Sequence, residues 1–149
     1  MIKMLRITLR STVPAPFKIV KDGFNLKLLE YLTPPLSKLQ MLRFDGIHMG
    51  AQMVFTIVVP GQKMQWSGEI SHLRSTPNNI TFIDQGITLP RGLKKWRHVH
   101  SVQSQNGRTI IIDRVELQGI HIFFTAYWYL ATLYLLSIRP SRYKRYFKQ

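Results

Sequence analysis

The run Ile120–Ile138, IHIFFTAYWYLATLYLLSI, decides how the rest of the chain is read. It holds no Asp, Glu, Lys or Arg, and no Gly or Pro interrupts it. As a helix it would be roughly 28 Å long at ~1.5 Å per residue. Arg139 and Pro140 then read as its stop, because the residue before a proline is biased away from the helical region. Two readings compete. A membrane-spanning helix needs about 20 apolar residues, and the basic tail Arg139, Arg142, Lys144, Arg145 and Lys148 would suit its cytoplasmic flank. A core helix laid across a sheet is the preferred reading. Tyr127 and Tyr129 fall in mid-run, whereas membrane tyrosines favour the interfaces. His121, Thr125, Tyr129 and Thr132 form one mildly polar stripe at helical spacing.

Upstream, the pattern is short strands. Leu5–Ser11 alternates as a first strand. Phe17–Asp22 reads as a short helix ending at Gly23, and Asn25 caps a second over Leu26–Leu32, stopped by Thr33-Pro34-Pro35. Strands are expected over Leu39–Phe44, Gln52–Val59, Met64–Leu73, Ile80–Gln85, Lys94–Gln105 and Arg108–Leu117. Consecutive hairpins imply an antiparallel sheet, curled so that its edges are not left flat and bare. The apolar face of that sheet needs a cover, and the last helix supplies one. The expected class is α+β: a curved seven-stranded antiparallel sheet around a long C-terminal helix, with two short helices between the first and second strands. At 149 residues the expectation is one domain, residues 1–149.

Asn106-Gly107 is the strongest turn signal, the favoured two-residue hairpin loop. It pairs Val102 with Ile111, His100 with Asp113, His98 with Val115 and Trp96 with Leu117. Because side chains alternate, Trp96, His98, His100 and Val102 share the inner face with Ile111, Asp113, Val115 and Leu117, while Arg97 opposes Glu116 outside. Phe82 and Asp84 alternate the same way on the fifth strand, and Trp66 and Ile70 on the fourth. If Pro60-Gly61 is the whole loop between strands three and four, Phe55 faces Trp66.

Polar groups at one level of an apolar pocket are the usual make-up of a small-molecule site. A buried unpaired polar group costs about 1–3 kcal/mol, so His98, His100, Asp84 and Asp113 need one another, water or a ligand. His100 and Asp113 are expected to hydrogen-bond. They could be a satisfied structural pair, a recognition pair, or a general base with its orienting carboxylate. His98-x-His100 with Asp84 or Asp113 has metal-ligand chemistry, but a lone HxH is weak evidence and no metal or other cofactor is assigned. No motif places a Ser nucleophile, and cysteine is absent. That excludes thiolate chemistry and disulfides and fits a reducing compartment. Met1–Arg10 has no apolar run of signal-peptide length, so a cytoplasmic, basic protein is expected. With 21 Lys+Arg against 7 Asp+Glu, the net charge is +14. That favours anionic partners such as a membrane surface. No nucleic-acid motif is present, so no specific nucleic acid is expected.

Leu42-Arg43-Phe44-Asp45-Gly46, Phe82-Ile83-Asp84, Leu89-Pro90, Lys95 to His100 and Thr109 to Asp113, in that order, resemble the small bacterial ligand-binding proteins of the SRPBCC, or START-like, superfamily. The resemblance spans nearly the whole chain. It implies the helix-grip fold, with a hydrophobic cavity between sheet and C-terminal helix. It also implies binding, or carriage, of a hydrophobic small molecule or lipid. Trp66, Phe82, Trp96 and Tyr127 are expected as apolar wall, and Asp84, His98, His100 and Asp113 as the groups that orient a polar part of the ligand. The alternative is an enzyme, a cyclase or dehydratase acting on a polyketide-like substrate through His100 and Asp113. Peripheral contact with anionic membrane completes the expectation.

Overall fold

In the computed structural model, which describes residues 3–148, seven strands form one antiparallel sheet in the order β1-β7-β6-β5-β4-β3-β2. The strands are β1 (Leu5–Val13), β2 (Lys38–Phe44), β3 (Gln52–Val59), β4 (Gln62–Thr76), β5 (Asn79–Thr88), β6 (Leu93–Gln105) and β7 (Arg108–Gly119). The helices are α1 (Phe17–Asp22), α2 (Leu26–Leu32), α3 (Ile122–Ser137) and α4 (Arg139–Tyr146). The element order and the helix-grip architecture are those expected from the sequence.

Local chemistry accounts for the register. Asn106 and Gly107 have φ of 50° and 77°, the two left-handed positions of the tight hairpin turn. They fix Gln105 opposite Arg108 and, further along, His100 opposite Asp113 and Trp96 opposite Leu117. Pro60-Gly61 likewise sets Phe55 against Trp66 and Ile57 against Met64. Arg97 donates to Glu116 at 3.0 Å on the outer face. Irregularities in β2 at Met41/Arg43 and in β4 at Ser67/Gly68 and Ile70/His72 bend those strands.

Asn25 caps α2 through its side chain, which accepts from the Leu28 amide at 3.2 Å. Helix α3 lies over β7, β1 and β6, and α4 contacts β1 and α2. The expected stop at Arg139-Pro140 is corrected. The helix pauses only at Ile138 and resumes, with Pro140 in the first turn of α4. Proline is tolerated there because that amide has no intrahelical partner to lose. A single buried stripe runs through both helices: Thr125, Trp128, Thr132, Leu136, Arg139, Tyr143 and Phe147. The mildly polar stripe therefore turns inward at Thr125 and Thr132, and the outer face of α3 is apolar and exposed.

The tail is also less free than its charge suggests. Arg142 Nη1 donates to the carbonyls of Tyr31 (2.6 Å) and Thr33 (3.0 Å), closing the C-terminal end of α2. The interior has two apolar groupings. One surrounds Tyr143, Phe82, Val102 and Ile111; the other surrounds Trp66, Trp96, Trp128 and Leu117.

Candidate functional site

The concave face carries two buried carboxylates. Asp113, on β7, is 1% exposed. Its Oδ1 accepts from His98 Nε2 at 2.9 Å and from Arg139 Nη1 at 3.0 Å, and its Oδ2 accepts from the Tyr143 hydroxyl at 3.2 Å. Arg139 Nη1 also donates to the Tyr143 oxygen at 3.3 Å. Burial alone would push Asp113 up, but the Arg139 charge and the histidine contacts hold it well below the ordinary carboxylate range. Burial, and then the proximity of His100, push His98 down to about 3 against the pull of Asp113. A neutral His98 facing an ionised carboxylate must carry its proton on Nε2. Burial raises the Tyr143 hydroxyl, which keeps its proton to donate. The cluster is thus an ion pair, Asp113 with Arg139, finished by two neutral donors.

His100 takes a different position from the expected one. It lies opposite Asp113 in register, and its Nδ1 approaches Asp113 Oδ1 at 3.4 Å but without hydrogen-bond alignment. That nitrogen has no hydrogen-bond partner. The expected His100–Asp113 bond is replaced by His98–Asp113, a diagonal contact two residues along β6. The His98 and His100 rings stack 3.7 Å apart, and His100 stacks on Phe82 at 4.6 Å. With Asp113 taken by Arg139, the orienting carboxylate of a His100 general base is not assembled.

Asp84 is the second carboxylate. It sits on β5 between Phe82 and Gly86, paired in register with His98, and is 8% exposed. Among the described residues no hydrogen bond or ion pair reaches its side chain. Burial pushes it up to about 6. Its carboxyl occupies the space that a Cβ would need at Gly68 on the neighbouring strand. Any side chain there would have to displace the Asp84 carboxyl from its place.

Two adjoining cavities open beneath α2. One, of about 60 Å³, is lined by Phe24, Leu28, Ile47, Ile70 and Phe82 among others. The other, of about 140 Å³, is lined by Leu39, Phe55, Ile57, Trp66 and Trp96 among others. Asp84, His100 and Arg139 line both. The Nε of Arg139 has no partner. Asn25 and Gln52 also line the first cavity and Thr33 the second, whereas the unpaired His100 Nδ1 and Arg139 Nε are themselves buried away from the cavity space. His98 reaches the second cavity but is held by Asp113.

Trp66, Phe82, Trp96, Asp84, His98 and His100 all meet around these cavities. Asp113 stands behind them as the anchor of Arg139. Tyr127 is corrected: it is 55% exposed, on the outer face of α3, and lines a separate surface groove with Arg91 and Phe123. The inward position belongs to Trp128, one residue on, whose ring lies 6.3 Å from Trp66 and whose Nε1 donates to the Arg91 carbonyl at 3.1 Å. Arg139, Tyr143 and Trp128 escaped the sequence reading. The signal that could have found them is the three-and-four spacing of the buried stripe, which runs on unbroken past Pro140.

His98, His100 and Asp113 bring ligand atoms within 4.8 Å of one another, and their donor types suit a divalent metal. Arg139, however, holds the same Asp113 oxygen at 3.0 Å. A fixed cation in that position opposes a second one, so the cluster does not fit a metal.

No family profile and no curated protein matches the chain. Solved structures do. The chain is similar to a protein from Mycobacterium smegmatis, with TM-score 0.68, 16% identity, and coverage of 95% of this chain and 89% of that one. It is similar to ginseng major latex-like protein 151 from Panax ginseng, with TM-score 0.62, 10% identity and coverage of 94% and 96%. It is also similar to norcoclaurine synthase from Thalictrum flavum, solved in complex with dopamine and hydroxybenzaldehyde, with TM-score 0.65, 16% identity and coverage of 95% and 85%. At these identities the likeness is one of fold, the helix-grip arrangement.

Proposed function

We propose that this protein binds a compact hydrophobic molecule carrying one polar group. The apolar body sits against Phe82, Phe55, Trp66 and Trp96, and the polar group among Asp84, His100 and Arg139. The observation that carries the reading is the Asp84 carboxyl, which has no hydrogen-bond or ion-pair partner among the described residues and sits in a largely apolar cavity wall. A buried polar group left without a partner is costly, and a ligand hydroxyl or amine supplies what the fold omits. The cavities, at about 60 and 140 Å³, are smaller than the ~300–1,000 Å³ of drug-sized sites. A ring system therefore suits them better than a long acyl chain, which narrows the lipid expectation. The complex of norcoclaurine synthase with two small aromatic molecules on a similar fold supports the same class. In this reading the protein works in the cytoplasm without metal or cofactor, and its positive charge brings it to anionic membrane surfaces.

The test is a titration with an environment-sensitive apolar dye, followed by displacement with phenolic compounds and with fatty acids. The expected result is one-to-one dye binding, displacement by the phenolic compounds, and affinity about tenfold weaker in Asp84→Asn, as for one lost buried hydrogen bond. Displacement by fatty acids alone would favour the lipid reading. A folded protein that takes up no apolar probe would leave a filled core and end the proposal.

A further inference from the structure

The apolar outer face of α3 has no partner among the described residues. Phe123 is 80% exposed and Leu130 63%, and Ile122, Tyr127, Leu133 and Tyr134 are exposed beside them. A surface helix of a soluble protein normally turns its apolar stripe to the core and its polar one to water. Here the threonines at 125 and 132 face the sheet and the large apolar side chains face out.

Charge then tells which partner fits. The same outward stripe continues into α4 as Ser137, Ser141, Lys144 and Arg145, all exposed. At the other end, Arg91 shares a groove with His121, Phe123 and Tyr127, and Lys94 and Lys95 are exposed just beyond it. An apolar helical face with cations at both ends matches an anionic bilayer surface, with chains at the middle and headgroup phosphates at the ends. A second copy of this chain matches poorly, because each copy carries +14 and the like charges would be brought together.

We propose that the protein docks on anionic membranes by laying the outer face of α3 into the headgroup region, with Lys144, Arg145 and Arg91 on the phosphates. This deepens the membrane contact of the proposed function by naming the surface, and it does not depend on what the cavity holds. The segment Ile122–Tyr146 is long and apolar enough to cross a membrane by composition. It lies on the surface instead, because Thr125, Trp128, Thr132 and Leu136 are buried where α3 packs on β7, β1 and β6. Lipid cannot surround a helix held along one side by a sheet.

The chain has no cysteine, so Leu130→Cys, and Leu42→Cys on β2 as control, can each carry a single polarity-sensitive fluorophore. Both sites are exposed, and neither change disturbs packing. With vesicles of phosphatidylcholine plus phosphatidylglycerol, the probe at 130 is expected to shift to the blue and the probe at 42 to stay unchanged. Phosphatidylcholine alone should shift neither. In sedimentation, Leu130→Asp should lower partitioning by about tenfold or more, and Lys144→Glu with Arg145→Glu should lower it in a salt-dependent way. If Leu130→Asp binds phosphatidylglycerol vesicles as the parent does, the α3 face is not the docking surface although the membrane contact survives. If no vesicle binds, both are wrong. A concentration-dependent dimer broken by Leu130→Asp would show that a second copy covers the face. Release from membranes only by detergent would mean the helix spans. Either result overturns the proposal.

Discussion

Asp84 and Asp113 stand two strands apart on the same concave face, and the fold treats them oppositely. Asp113 has three donors on its two oxygens and is held ionised. Asp84 has none among the described residues and is pushed up to about 6. Burial is nearly the same for both, so partners rather than depth set the difference. A carboxylate that fastens a helix to a sheet must be satisfied by the protein. In the proposed function Asp84 is the carboxylate left for a ligand, and leaving it unsatisfied lowers the stability of the empty protein.

The largest effect should come from breaking the satisfied member. Asp113→Asn leaves Arg139 as a buried, uncompensated cation and should cost about 3–5 kcal/mol in urea unfolding. Adding Arg139→Met removes the stranded charge, and much of the loss should return. If the two changes simply add, the pair is not the fastening described.

Asp84→Asn should act in the opposite direction. The folded protein binds this proton more tightly than the unfolded chain does, so the cost is absent below about pH 4 and grows as pH rises toward 6. At ~1.4 kcal/mol for each tenfold, the rise from 3.8 to about 6 corresponds to roughly 3 kcal/mol. The substitution should raise stability by up to that amount at pH 7–8, and by almost nothing at pH 4. His98 runs the other way. Its folded value of about 3 lies below its ordinary 6.5, so its contribution is lost as pH falls from 6.5. Between pH 6 and 4 the two slopes nearly cancel in the parent. Asp84→Asn removes one of them, so its melting temperature should fall on acidification across that window while the parent's stays flat. The same fall in both proteins would mean that Asp84 is ordinary and that nothing offsets the His98 slope.

The smallest effect should be Tyr143→Phe. It removes one of the three donors to Asp113 and keeps the ring against Phe24. A loss of ~1 kcal/mol is expected. Because Arg139 and His98 remain, dye affinity in the cavity should not move. A loss as large as that of Asp113→Asn would show that the hydroxyl, not the guanidinium, holds the carboxylate.

The sequence made the sheet legible because turns are local. Asn106-Gly107 alone placed His100 opposite Asp113, and one register fixes a whole strand pair. It could not show which histidine reaches the carboxylate, since that depends on how side chains lean in a twisted sheet. Arg139 and Tyr143 were hidden for another reason. They lie 26 and 30 residues beyond Asp113, on a helix that Pro140 was taken to forbid. Tyr127 was misplaced because an all-apolar helix carries no marker of which side faces in. Only packing on β7 and β1 decides it.

The strand order has a consequence for how the chain comes together. β1 pairs only with β7, so Leu5 finds its neighbour Leu117 roughly a hundred residues later. At ~5–20 residues per second the first strand waits on the order of ten seconds for the last to be synthesised. Its inward residues Ile7 and Val13 are exposed in the meantime, a lone template for sticking to other chains. Arg6, Arg10 and Thr8, which face solvent in the finished sheet, interrupt that template at every second position. Charge repeated along an unpaired strand discourages premature pairing, so the basic character of the first strand also serves as protection during birth.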